Sequence, residues 1–337
     1  MPTDTVDAPL TRKDFVSDQD VRWCPGCGDY AILAQMQRLL PNLGVPRENI
    51  VFISGIGCSS RFPYYVDTFG FHSIHGRAMT LASGLKITRP ELLVFVITGD
   101  GDGLSIGGNH LIHALRRNMD LNIILFNNRI YGLTKGQYSP TSEVGKRTVS
   151  SPAGSLEVPV SPARIALAAE ASFVARTVAT DTRHLSTTLE RAAHHRGGCF
   201  VEVYQNCNVY NDGAFDYFAE RSIRAEQTIN LEHGKPLTFG KNGDKAIKLD
   251  GLQPVICADD DPGRLVHDER APSNVWPYLL AHMSPTFGLP LPLGVLRAVD
   301  KPTYEDGMSE QVDAAREHSG AGDVAALLRA GDTWTVE

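Results

Sequence analysis

The 337-residue chain carries a net charge of −7 and is 42% hydrophobic, an ordinary globular composition, long enough for one large domain or two unequal ones. Mild acidity without a clustered basic run argues against a nucleic-acid surface, and no apolar run approaches the length needed to span a membrane. Residues 1–20 show no basic segment followed by an apolar one, so a signal peptide is not expected and the chain reads as cytoplasmic.

Taken in order, Met1 to about Asp20 lacks apolar periodicity and reads as an extended N-terminal arm. A tight turn, Trp23-Cys24-Pro25-Gly26-Cys27-Gly28-Asp29, runs into a helix over 31–40 with apolar positions at Ile32, Leu33, Met36, Leu39 and Leu40. Ile50–Ile53 is the next strand, and Ser54-Gly55-Ile56-Gly57-Cys58-Ser59-Ser60 is a Gly/Ser loop at its carboxyl end. His72 and His75 precede a helix over 78–86. His75, beside a glycine and a helix start, is the better candidate for an active-site donor.

The run 92–98 is continuously apolar and ends in Gly99-Asp100-Gly101-Asp102-Gly103. A second such run, 121–126, ends in Asn127-Asn128-Arg129-Ile130-Tyr131-Gly132. Such runs read as strands buried on both faces, the signature of a parallel sheet, whose ligands sit at the carboxyl ends of its strands. Glycines let the backbone approach a phosphate, and a helix N-terminus attracts the same anion. Asp100 offers a hard oxygen and Asn128 a second, and with a carbonyl near Ile130 they suit magnesium, which favours a few protein oxygens plus phosphate and water. This pairing of motifs resembles the diphosphate-binding motif of thiamine-dependent enzymes. The resemblance implies that Asp100, Asn128 and the Ile130 carbonyl hold Mg2+ and that Gly101 and Asp102 touch the diphosphate of thiamine diphosphate.

The loop 131–142 is rich in glycine and hydroxyls and can close over bound ligands, with Lys135 placed to pair with a substrate carboxylate. Helix–strand alternation then resumes with a helix over 163–172, a strand over 173–178, a helix over 182–195 and a strand over 199–204. Beyond Asp212 it weakens to short strands over 245–249 and 254–257 and helices near 276–283 and 309–328. The fold expected is α/β: a doubly wound, mostly parallel sheet of the thiamine diphosphate-binding type over 21–212. Residues 213–337 form a C-terminal extension that wraps the core or a partner.

Six cysteines, Cys24, Cys27, Cys58, Cys199, Cys207 and Cys257, are too few and too unevenly placed for a disulfide scaffold. Cys199 and Cys257 sit in apolar segments and read as buried packing. Cys24, Cys27, Cys58 and Cys207 approach one edge, where four thiolates can bind a tetrahedral zinc or an iron–sulfur cluster. Spacing does not separate these two outcomes. An electron acceptor has a reason to sit beside a thiamine site, since loss of CO2 from a 2-oxo acid leaves electrons to remove. A redox disulfide between Cys24 and Cys27 lacks the preceding βαβ unit it needs.

Cys-Pro-Gly-Cys-Gly-Asp at 24–29, Gly-Ile-Gly-Cys-Ser-Ser at 55–60, His-Gly-Arg at 75–77, Gly-Asp-Gly-Asp-Gly at 99–103 and Asn-Asn-Arg-Ile-Tyr-Gly-Leu-Thr-Lys-Gly-Gln at 127–137 together resemble the beta subunits of 2-oxoacid:ferredoxin oxidoreductases, with the strongest likeness to the 2-oxoglutarate enzymes. The resemblance covers roughly residues 20–215. It implies one [4Fe-4S] cluster on Cys24, Cys27, Cys58 and Cys207, and thiamine diphosphate contacts from Ile56, Gly57, Cys58, Ser59, His75, Gly101, Asp102, Gly132 and Leu133. It further implies that the carboxylate facing the aminopyrimidine belongs to an alpha subunit, in an alpha2beta2 assembly. The expected activity is oxidative decarboxylation of 2-oxoglutarate with coenzyme A to succinyl-CoA, electrons passing to ferredoxin. The alternatives are the same chemistry on pyruvate or another 2-oxo acid, a non-catalytic cluster-binding redox sensor, and a non-oxidative decarboxylase with structural zinc.

Overall fold

The computed structural model describes residues 10–336. The expected N-terminal arm lies outside the described residues over 1–9. From Leu10 onward it is docked rather than loose: a single turn, Arg12–Phe15, buries Phe15 completely, and Val16 bridges to Val66.

The alternation read from the sequence appears as α1 (Asp29–Leu39), β1 (Ile50–Ser54), β2 (Phe69–His72), α2 (Ala78–Thr88), β3 (Leu93–Gly99), α3 (Asp100–Leu104), α4 (Gly108–Arg116), β4 (Leu121–Asn127), α5 (Pro162–Ala168), β5 (Phe173–Val178), α6 (Thr182–His194) and β6 (Gly198–Tyr204). Strands β1, β3, β4, β6 and β5 pair in that order and all in parallel. Every residue of β4, β5 and β6 is buried, as a sheet covered on both faces requires. On one face lie α1 and α6, whose Ile32, Met36, Leu185 and Leu189 meet Phe52, Phe95 and Phe126. The other face is covered by α2, α4 and α5 through Met79, Leu111 and Leu167.

Strand β2 was not foreseen: it is four residues long, exposed, and pairs on the outer side of β1. Since β2 flanks β1 on one side and β3 on the other, the strand order reverses at β1. A crevice opens at that reversal, outside the carboxyl ends of the strands.

The chain beyond Asp212 differs from expectation. It forms β7 (Thr228–Leu231), β8 (Thr238–Phe239), β9 (Lys245–Asp250), β10 (Gln253–Ala258) and β11 (Leu291–Ala298). Strands β8–β10 make a separate three-stranded sheet, but β11 adds antiparallel to β5 and β7 adds parallel to β11. The segment therefore finishes the main sheet rather than only wrapping it. Pro292 and Gly294 hide β11 from sequence reading, because both weaken strand character. Gly294 is required there: its φ is 111°, and a Cβ would stand 2.9 Å from the Leu231 carbonyl oxygen.

The helix expected over 309–328 is two, Tyr304–Ser319 and Val324–Leu328, parted at Gly320 with φ 74°. Cys257, expected in the core, lies in β10 of the small sheet and is only partly buried, whereas Cys199 is fully buried. Among the described residues no helix is long and apolar enough to cross a membrane.

Candidate active site

Four loops converge at the carboxyl ends of β1, β3, β4 and β6. Ile56, Gly57, Cys58, Ser59, His75, Asp100, Gly101, Asp102, Asn128, Ile130, Gly132 and Leu133 all line one cavity, together with Gly99, Phe126, Tyr131 and Thr134. These residues, singled out in the sequence for the cofactor and Mg2+, come from four segments to one place. A wider apolar groove of about 1250 Å3 lies elsewhere, bordered by Leu252, Trp276 and Phe287. None of the candidate ligands borders it.

Asp100 opens α3 and is 2% exposed. Its Oδ2 accepts the Ser139 and Thr141 hydroxyls, each at 2.5 Å. Burial nevertheless pushes its carboxyl up to about 6, against these hydrogen bonds. A cation placed beside it would reverse that penalty. Behind it a buried chain continues: Thr141 Oγ1, whose proton goes to Asp100, lies 3.0 Å from Asn127 Oδ1, Asn127 Nδ2 donates to Glu202 Oε1 at 2.8 Å, and Glu202 Oε2 pairs with Arg176 Nε at 3.0 Å. Asn127, the first of the paired asparagines, is thus spent on structure. Asn128 is half-buried, its Oδ1 accepting from Ile130 N at 3.1 Å in an Asx turn. A second lone pair stays available on that oxygen.

Asp102 acts as a tie between loops. Its Oδ1 accepts from Ile56 N at 3.1 Å and Gly76 N at 2.7 Å, and its Oδ2 from Thr98 Oγ1 at 2.7 Å. Gly55 makes this possible, since a Cβ there would overlap the Asp102 carboxylate at 1.9 Å. His75 Nδ1 stands 2.7 Å from Asp102 Oδ1, off the line of a hydrogen bond, and the ring meets Tyr131 edge-on at 6.2 Å. Tyr131 Oη donates to the Gly101 carbonyl at 2.9 Å, and a Cβ on Gly101 would strike its ring at 2.2 Å. His72, by contrast, is structural: Nδ1 lies 2.8 Å from the Ser60 carbonyl and 3.1 Å from Ser54 Oγ.

Lys135 does not line the cavity. It is exposed, with φ 72°, at the tip of a hairpin closed between Tyr131 and Gln137. Two hydroxyls further along this loop, those of Ser139 and Thr141, turn inward to Asp100.

The four cysteines gather beside the same cavity. A Cβ on Gly132 would stand 3.6 Å from the Cys207 sulfur and 3.7 Å from the Cys58 sulfur. Burial, with the Asp29 carboxylate next, drives both Cys27 and Cys58 up, Cys58 to about 12, and the Cys207 thiol adds to both. Bound iron or zinc would instead hold them as thiolates. Trp23 Nε1 fixes the Cys58 carbonyl at 2.7 Å, and Gln205 Nε2 donates to Cys27 Sγ at 3.1 Å. Asp29 is 1% exposed, neither of its oxygens has a hydrogen-bond partner, and burial pushes its carboxyl up to about 7. Among the described residues no three His, Cys, Asp or Glu side chains close on a single ion position.

Sequence reading missed Ser139, Thr141, Glu202, Arg176, Gln205 and Asp29. The charged members of this set carry a signal in the sequence: Arg176 and Glu202 interrupt otherwise apolar strands, and an ionisable residue inside a buried strand requires a partner.

Residues 55–203 match the family described as thiamine pyrophosphate enzyme, C-terminal TPP binding domain. The chain is 52% identical to 2-oxoglutarate oxidoreductase subunit KorB of Mycobacterium tuberculosis, over 99% of this chain and 90% of that protein. It is 41% identical to the 2-oxoacid:ferredoxin oxidoreductase subunit beta of Saccharolobus solfataricus, over 61% of this chain and 68% of that one. A solved structure of 2-oxoglutarate:ferredoxin oxidoreductase from Magnetococcus marinus, with 2-oxoglutarate, coenzyme A and succinyl-CoA bound, superposes with a TM-score of 0.78. The match is 30% identical and covers 96% of this chain and 97% of that chain.

Proposed function

This chain belongs to the beta subunits of the 2-oxoacid:ferredoxin oxidoreductases, and from that premise we propose how its residues divide the work of a thiamine-dependent oxidation of 2-oxoglutarate with coenzyme A. It is the beta subunit of a 2-oxoglutarate:ferredoxin oxidoreductase. Thiamine diphosphate, when bound, supplies the carbon centre that takes the 2-oxo acid and lets CO2 leave.

Asp100, Asn128 and the Ile130 carbonyl would hold Mg2+, which would offset the charge of the diphosphate. The donor set fits: a buried carboxylate whose charge is uncompensated, an amide oxygen with a free lone pair, and a main-chain oxygen, all on one cavity. Gly101 and Asp102 would meet the diphosphate through the main chain, because the Asp102 carboxylate is already committed to Ile56, Gly76 and Thr98. His75, steadied by Asp102, faces the cofactor or the bound acid as a hydrogen-bonding group. Lys135, on its exposed hairpin, is proposed to reach the distal carboxylate of 2-oxoglutarate.

Cys24, Cys27, Cys58 and Cys207 would hold one [4Fe-4S] cluster. Four thiolates suit a zinc ion or a cluster alike, and a cluster suits a neighbour that must pass electrons on. The observation that carries this reading is Gly132, which belongs to the cofactor cavity and also abuts the Cys58 and Cys207 sulfurs. Electrons leaving the substrate therefore have a short path to the cluster and on to ferredoxin.

Among the described residues the carboxylates lining the cavity are Asp100 and Asp102, and both are engaged. The acid that faces the aminopyrimidine is proposed, as the family resemblance implies, to come from the alpha subunit, in an assembly proposed as alpha2beta2.

The test is anaerobic iron and sulfide analysis of the chain co-purified with its alpha partner, with EPR before and after addition of 2-oxoglutarate and coenzyme A. About four irons per beta chain, and a cluster signal that appears only with substrate, are expected. Zinc in place of iron, or a cluster indifferent to every 2-oxo acid, would sink the electron-transfer assignment.

A further inference from the structure

Gln205 is the first residue after β6, two positions before Cys207, and is 1% exposed. Its main chain is fixed by Gln205 N donating to the Asn127 carbonyl at 2.9 Å. Its side chain lies across the turn that carries Cys24 and Cys27. Nε2 donates to Cys27 Sγ at 3.1 Å, across 178 residues of sequence. The turn is shaped to admit it: a Cβ on Gly28 would stand 2.8 Å from Gln205 Cγ and 3.1 Å from Asn206 N, and Gly28 N donates to the Asn206 carbonyl at 3.2 Å. Among the described residues Oε1 has no partner, and the N–H···S contact is the side-chain hydrogen bond that holds this amide.

An N–H donor on a ligand sulfur withdraws electron density from the cluster and favours its reduced, more negative form. Burial strengthens the effect, since no water competes for the sulfur. Resting on the cluster assignment above, we propose that Gln205 is a positioning residue that raises the reduction potential of the cluster through its hydrogen bond to Cys27, so that the cluster accepts electrons from the oxidised 2-oxo acid. The step tuned is one electron in and one electron out, with no proton transferred by Gln205.

The experiment is a potentiometric titration of the cluster by EPR in the complete alpha/beta complex, comparing wild type with Gln205→Met, which keeps bulk without a donor, and Gln205→Glu, which presents an acceptor. Iron and sulfide are measured first on wild type. If wild type holds no iron, the cluster assignment itself fails, and this proposal fails with it. With iron present, Gln205→Met is expected to keep full iron and to show a reduced-to-oxidised ratio about tenfold lower at a fixed poise, about 59 mV for a one-electron couple. Full iron with an unmoved midpoint overturns the proposal while leaving the cluster assignment intact. If Gln205→Met loses iron, Gln205→Glu decides: a retained cluster with a lowered midpoint supports the tuning role, and a lost cluster or an unmoved midpoint overturns it.

Discussion

The Asp100 end and the cysteine end of the site are neighbours, yet they treat their buried polar groups differently. Asp100 receives two hydroxyls, and the chain behind it runs through Thr141, Asn127 and Glu202 to Arg176. At the cysteine end Asp29 has both oxygens unpartnered, and Gln205 leaves Oε1 without a donor. A buried polar atom without a partner costs about 1–3 kcal/mol. The Asp100 end is therefore set before anything binds, while the cysteine end holds groups that the protein alone does not satisfy. A preorganised ligand set suits an ion that tolerates little distortion, whereas the cysteine end carries unpaired acceptors beside its thiols.

The sharpest way to break the comparison is at the cysteine end. Cys207→Ser is expected to remove nearly all iron while thiamine diphosphate stays bound, and Cys257→Ser is expected to change neither; iron analysis and cofactor assay on the same sample decide it. If the Cys207 variant lost the cofactor as well, the two ends would be one cooperative unit.

At the other end, Glu202→Gln strips the buried Arg176 of its countercharge and is expected to lower unfolding free energy by about 3–5 kcal/mol, read by urea denaturation of the chain in its complex. A loss under 1 kcal/mol would mean that the network is not the rigid support described. Asp100→Ala is expected to abolish cofactor retention, and Thr141→Val, which removes only a supporting hydroxyl, to weaken Mg2+-dependent thiamine diphosphate binding about 10–100-fold. Calorimetric titration measures both, and equal losses would contradict the separate roles.

The smallest effect belongs to the exposed hairpin. Lys135→Ala is expected to raise KM for 2-oxoglutarate about tenfold, the value of one charge-assisted hydrogen bond, with kcat little changed and pyruvate turnover unaffected. An unchanged KM would remove Lys135 from substrate recognition.

What the sequence by itself determined was whatever is local in the chain. Predominantly apolar runs announced β1, β3, β4, β5 and β6, and the residues at their carboxyl ends announced where the chemistry sits, because a parallel sheet exposes only those ends to a ligand. Gly99 to Gly103, the Asn127–Asn128 pair and the Cys24–Cys27 turn were legible for the same reason: each acts through its own few residues. Only the tertiary structure decided which neighbours those residues meet. It set Ser139 and Thr141 on Asp100, turned the Asp102 carboxylate inward to the loops of Ile56 and Gly76, laid Gln205 on Cys27, and threaded β11 between β5 and β7. Each of these joins segments far apart in sequence. The partner of a buried donor or carboxylate is fixed by packing across the sheet, which no local pattern of residues encodes.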